Sequence, residues 1–278
     1  MAPNFGRSIS FPLTPTRSFS KSSRHLRSVS LPGTTSSHPL LANLHAHIAA
    51  VRSWIQDTAS LQAGLANIHA LHAALADLLL LPASVAALQC TTSNTGDRLL
   101  DAFLLLADAH QGFQECLLEL RQAAAESRTA LRRGDTGRLA SASRSQHRAE
   151  KDIARLAASV STISSKCARL NLVAVSGEEA EMAYALVEAA AASAAASAAL
   201  FSAAASMSSA ASTCKKTATF IPAFATRKVT AQETAEVAME RLCALERCLH
   251  ECDGACDLVF RSIVQTRVSL LNIMTPTI

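Results

Sequence analysis

Aromatic residues are scarce in this chain: they make up 4% of 278 residues, and Trp54 and Tyr184 are the only ones of their kinds. So few rings leave nothing to stack successive bases or to build an aromatic ligand box. Nucleic-acid readout is therefore not expected, despite a net charge of +4. Glycine is sparse too, at nine residues, and no G-x-G-x-x-G or Walker loop, no G-x-S-x-G elbow and no H-E-x-x-H helix occurs. The expectation is a protein without enzymatic activity, cofactor or metal.

Acidic residues are missing from one end. Residues 1–38 hold Arg7, Arg17, Lys21, Arg24 and Arg27 and no Asp or Glu, giving +5; the remaining 26 − 5 = 21 basic residues face 22 acidic ones, giving −1. The basicity thus belongs to a tail and not to the body. A continuous apolar stretch behind a basic start, the secretory pattern, is also lacking. The eight cysteines are accordingly expected to be reduced thiols.

The longest uncharged run is Ala189 to Cys214, 26 residues, which is enough to span a bilayer. Its large apolar groups are only Leu200, Phe201 and Met207, and alanine gains little from lipid. A helix that packs closely through small residues is the better expectation.

What the tail does contain is a repeated pattern. Arg-Ser-x-Ser-x-Pro occurs at Arg7–Pro12 and at Arg27–Pro32, and Arg17–Ser20 repeats it without the proline. Arg7 and Arg27 stand where a basophilic kinase requires a cation, three residues before Ser10 and Ser30. Pro12 and Pro32 would turn the phosphorylated chain out of a 14-3-3 groove. A phosphoserine adds about −1.5 to −2 charges and three strong acceptors, which an arginine cluster in a reader can clamp. Residues 1–37 carry ten serines, four prolines and no apolar periodicity, so they are expected to be a disordered tail. The rival readings of this segment are a transit peptide, which is likewise rich in Arg and Ser and free of acids, and a plain solvated tail.

From 38 to 278 the spacing predicts one all-α domain, an antiparallel bundle of five or six long helices. Ser36 or Ser37 is the expected first cap, followed by Pro39. Leu41, Leu44, Ile48, Val51, Ile55 and Thr58 form one stripe, and Leu61, Leu65, Ile68, Leu75 and Leu79 a second in a slipped phase, with a break near Ser60–Gly64 and a stop at Pro82. After a polar turn at Thr91–Gly96, a third stripe runs from Leu99 to Ala124, and Gly134 is the expected C′ residue after Arg132 and Arg133. A fourth runs from Ile153 to Leu170. A helix opening at Ser176–Gly177 is expected to run through the Ala/Ser tract to about Thr213, followed by a connector containing Pro222. The last stripe, Leu242 to Ile273, keeps the three-four alternation over ten positions. Narrow seams of this kind belong to antiparallel bundles or coiled-coil-like hairpins, and spacing alone leaves the oligomeric state open.

Three clusters invite chemistry, and each has a plainer reading. Cys248, Cys252 and Cys256, with Cys243 and His250 nearby, could share a soft metal. Without a wrapping C-x-x-C loop, and with Cys252 and Cys256 on the apolar seam, they read as small core residues. His110 lies on a seam, and His69 and His72 stand at i, i+3 with no acid to complete a metal set; bundle or surface positions suit them better. Arg128, Arg132, Arg133, Arg138, Arg144 and Arg148 could attract acidic lipid headgroups or a phosphoserine, including one from the chain's own tail, but a solvated helix corner accounts for them as well.

Four stretches carry a family likeness. They are Arg27–Leu40; Gly64–Leu81 followed by Pro82; Leu99–Arg133, closing on Leu-Arg-Arg; and Arg261–Met274, reading Arg-Ser-Ile-Val-Gln-Thr-Arg-Val-Ser-Leu-Leu-Asn-Ile-Met. In these the chain resembles the plant-specific BYPASS-related family, formerly a domain of unknown function. The resemblance implies a role in root and shoot development, no established catalytic activity and no catalytic residues to carry over. The alanine-rich Ala183–Ala211 departs from it.

The expected function is a non-enzymatic regulator working through protein partners, with 14-3-3 the candidate for the phosphorylated tail, in the cytoplasm. The alternative is a chloroplast-targeted or membrane-associated accessory protein using residues 1–37; membrane contact is the weaker partner expectation.

Overall fold

In a computed structural model, residues 38–58, 60–90, 93–168, 177–212 and 231–275 are described. The tail residues Arg7, Ser10, Pro12, Arg27, Ser30 and Pro32 lie outside them, as do Ser36, Ser37, Ser176 and the Pro222 connector. Seven helices and no strand occur among the described residues. They are α1 (Pro39–Gln56), α2 (Leu61–Leu79), α3 (Pro82–Cys90), α4 (Ser93–Arg133), α5 (Thr136–Ala168), α6 (Glu178–Ser212) and α7 (Ala231–Met274).

The first helix starts one or two residues later than the serines suggest. His38 is the N-cap, its Nδ1 accepting from the Leu40 N–H at 3.2 Å, and Pro39 opens the first turn. Leu41, Leu44, Ile48 and Val51 are buried, but the stripe ends on Trp54 and not on the half-buried Ile55. The Trp54 indole donates to the Ser60 carbonyl at 3.1 Å, and Ser60 caps α2 through the Ala63 N–H at 3.2 Å. The break therefore falls between Gln56 and Leu61, slightly ahead of the expected Ser60–Gly64, with Ser60 held against the indole. Gly64 is required beneath it, because a Cβ there would lie 2.2 Å from Trp54 Cζ2.

Two expectations about Pro82 and Thr91–Gly96 need correction. Pro82 begins a helix as well as ending one: α3 turns 86° away from α2. Proline suits a first turn because its missing N–H has no partner there in any case. Of the expected Thr91–Gly96 turn, Ser93 to Gly96 already belong to α4.

The α4–α5 turn follows the residue chemistry closely. Gly134 takes φ +65°, the left-handed region that glycine enters without penalty. The Asp135 N–H then bonds Ala130 O at 3.0 Å and the Gly134 N–H bonds Leu131 O at 3.3 Å, a Schellman closure. Asp135 in turn caps α5, accepting from the Arg138 N–H at 2.9 Å. Two residues thus fold a 41-residue helix back along a 33-residue one.

Around the bundle the main neighbours run α1, α2, α7, α4, α5, α6 and back to α1. Helix α6 also reaches inward, packing against all six other helices. One core cluster draws buried residues from all seven.

Candidate functional site: a polar spine inside the core

Alanine dominates α6 for a physical reason. It is the best helix former, and with no side chain beyond Cβ it lets several backbones approach at once. Ala189, Ala190, Ala194, Ala196 and Ala204 are fully buried, and so are Ser193, Ser197 and Ser208. By length and hydropathy Glu179–Ser212 could cross a membrane, but 67% of its most apolar window is buried inside the protein.

The buried serines meet two buried histidines. Thr266 of α7 donates its hydroxyl to the Ser262 carbonyl at 2.9 Å, so its oxygen accepts from His72 Nδ1 at 3.0 Å. That places the proton of neutral His72 on Nδ1 and leaves Nε2 to accept from the Ser193 hydroxyl at 2.8 Å. The Ser197 hydroxyl donates to Ser193 O at 2.9 Å and accepts from His110 Nε2 at 2.8 Å. Helices α2, α4, α6 and α7 are thereby stitched together through side chains that need no charge.

Burial enforces that neutrality. It is the chief cause that lowers His72 to about 3, with the nearby His110 and His69 adding to it, and it alone lowers His110 to about 3. Aromatic edges close the surroundings: His72 lies 5.7 Å from Phe103 and His110 lies 5.1 Å from Phe201, which stacks on Phe113 at 4.3 Å. Every hydrogen-bonding position of His72 is filled. His110 Nδ1 is buried and has no hydrogen-bond partner among the described residues. The arrangement fixes helix register; a histidine so sealed has no path for exchanging protons with a substrate in solution.

A second polar knot joins α5 to α6. Gln146 donates to Ser208 O at 2.9 Å, and the Ser208 hydroxyl donates to Glu150 Oε1 at 2.7 Å. Glu150 Oε2 meets the exposed His147 Nδ1 at 2.9 Å. No spacing rule within either helix announces it, since the partners are 58 and 62 residues apart.

The arginine cluster divides. Arg128 pairs with Glu246 of α7 at 3.2 Å and donates to Cys243 Sγ at 3.5 Å, and Arg132 Nε reaches Met239 Sδ at 3.4 Å. These two fasten α4 to α7. Arg138 pairs with Asp135, while Arg133, Arg144 and Arg148 are exposed.

The cysteine face packs into the bundle. Cys252 and Cys256 are buried and Cys248 half-buried, all with free thiols. A hydrogen bond with Cys248, reinforced by burial, pushes Cys252 well up, while the same bond lowers Cys248 to about 7. Burial pushes Cys256 up to about 12. Among the described residues, no group of three His, Cys, Asp or Glu converges as a metal site would require.

Comparison with known proteins adds one relation. The family model described as Protein BPS1 matches residues 64–273, from Gly64 under the Trp54 indole to the last turn of α7. No curated protein and no solved structure matches the chain.

Proposed function

The chain belongs to the BPS1 family, and from this premise we propose that it is a non-enzymatic plant regulatory protein that acts in root and shoot development by holding protein partners. The matched segment, 64–273, contains most of α2, all of α3 to α6 and almost all of α7, so the family relation resides in the helical body. That body supports a binding role: its two most protected histidines are neutral and spent on joining helices. Regulation resides in the tail. Phosphorylation of Ser10 and Ser30, set by Arg7 and Arg27 and followed by Pro12 and Pro32, creates two anionic sites that 14-3-3 proteins grip, keeping the protein in the cytoplasm.

Affinity capture from plant tissue, with and without phosphatase, tests this reading. Capture of 14-3-3 is expected from untreated extract and is lost with phosphatase or with Ser10→Ala plus Ser30→Ala. Capture that survives both changes overturns the tail assignment. The acid-free composition of residues 1–38 favours a second reading, a plastid-targeted or membrane-associated accessory protein. A fluorescent fusion with and without residues 1–37 separates the two: plastid signal that disappears on removal supports targeting, and unchanged cytoplasmic signal supports the regulator.

A further inference from the structure

The outer surface of the α4–α5 hairpin carries two opposite rows of charge. On α4, Asp97, Asp101, Asp108, Glu115, Glu119 and Glu126 are all exposed. Their steps of four and seven keep them within an arc of about 40° over about 43 Å of helix. On α5, Arg144, Arg148, Lys151, Arg155 and Lys166 are all exposed, within an arc of about 60° over about 33 Å.

Among the described residues, no ion pair joins the two rows across the hairpin. Among the described residues, none of the six acids forms an ion pair. Of the five bases only Arg155 does, with Asp152 on its own helix. Glu115 and Glu126 each receive only an amide hydrogen bond, from Gln111 and Gln122. Three leucines of α4 are exposed beside the acids: Leu104 by 40%, Leu105 by 46% and Leu118 by 57%.

From this pattern we infer that the α4–α5 face binds a second copy of the same chain. The two-residue turn fixes the level of each row. Gly112 packs against Leu156, so residues whose numbers sum to about 268 stand side by side. A two-fold axis parallel to the hairpin lays the acids of one chain over the bases of the other. Glu126 then falls opposite Arg144, Glu119 opposite Arg148, and Asp101 opposite Lys166, each within about two residues of level. An axis across the hairpin would stack acid on acid. The face measures about 40 Å by 20 Å, or about 800 Å² per chain, the size of a standard specific interface. An anionic membrane fits it poorly, because the acidic row would be repelled alongside the attracted basic one.

Sedimentation of the full chain tests the proposal. The wild type is expected to be dimeric at tens of micromolar in about 50 mM salt, with its dimer dissociation constant rising at least tenfold at about 500 mM. Two charge-reversed chains sharpen the test: Glu115→Lys, Glu119→Lys and Glu126→Lys in one, Arg144→Glu, Arg148→Glu and Lys151→Glu in the other. Each alone is expected to be monomeric with unchanged helical circular dichroism, and their mixture to form a 1:1 dimer. A wild type that stays monomeric at low salt overturns the inference, whether or not it sediments with phosphatidylserine vesicles. So does a mixture of two folded variants that fails to associate.

Discussion

Helices α5 and α6 have nearly the same length, 33 and 35 residues, and pack against each other, yet they are buried in opposite ways. Helix α5 buries a single stripe through Ala142, Gln146, Ala149, Ile153, Val160 and Ile163 and turns its charges outward. Helix α6 has only a narrow outward stripe, through Glu181, Tyr184, Ser202, Ser206 and Ala210, because it packs against all six other helices. A helix at the rim needs large apolar residues on one side, whereas a helix at the hub needs small residues nearly all round. Where the hub must be polar, it uses hydroxyls that can bond either to their own backbone or to a neighbour.

Substitutions on the two helices should therefore have very different costs. The largest effect belongs to the ring where α6 meets α4: Phe201→Ala is expected to lose about 3–5 kcal/mol, because it removes the stack on Phe113 and the contact with His110. Chemical denaturation measures it, and a loss below about 1 kcal/mol would remove α6 from the hub. Ser193→Ala comes next. It strips His72 Nε2 of its donor, and a buried unpaired acceptor costs about 1–3 kcal/mol; the same denaturation experiment reads it. At the rim, Ser145→Ala on the exposed side of α5 is expected to stay within about 0.5 kcal/mol of wild type.

Much of the rim is legible in the residue spacing alone. Seam residues such as Leu44, Leu65, Phe103 and Val259 are all buried as their spacing predicts, because one-sided burial writes a periodic signal. The hub writes none: in a tract of Ala and Ser, nothing local distinguishes Ser193 from its neighbours, and its partner His72 is 121 residues away. Thr266, the one polar residue on the last seam, marks the place where His72 arrives from 194 residues away. Helix α3 is hidden in the sequence because its opening proline reads equally as a stop and as a first-turn residue, and α3 has little apolar periodicity of its own. The His38 cap is masked by the serines beside it, which are the commoner capping residues.

Neutral histidines at the hub also set the response to acid. Both have folded pKa values of about 3 against 6.5 in the unfolded chain, so below pH 6.5 the unfolded state binds protons that the folded state refuses. Stability contributed by their neutrality is fully present above pH 6.5 and falls as pH drops from there toward 3. The slope is roughly 3 kcal/mol per pH unit for the pair once the unfolded histidines are charged. Urea midpoints between pH 7.5 and 5 are expected to fall accordingly, and His72→Leu should roughly halve the slope.

The polar spine is tested most directly by an NMR titration of the imidazole carbons of His72 and His110 in the folded protein. Both are expected to keep the shifts of neutral imidazole from pH 8 to the lowest pH at which the fold persists, with His72 as the Nδ1–H tautomer and His110 as the Nε2–H tautomer. Titration of either ring near pH 6.5 in a chain that remains folded would contradict a sealed, neutral hub.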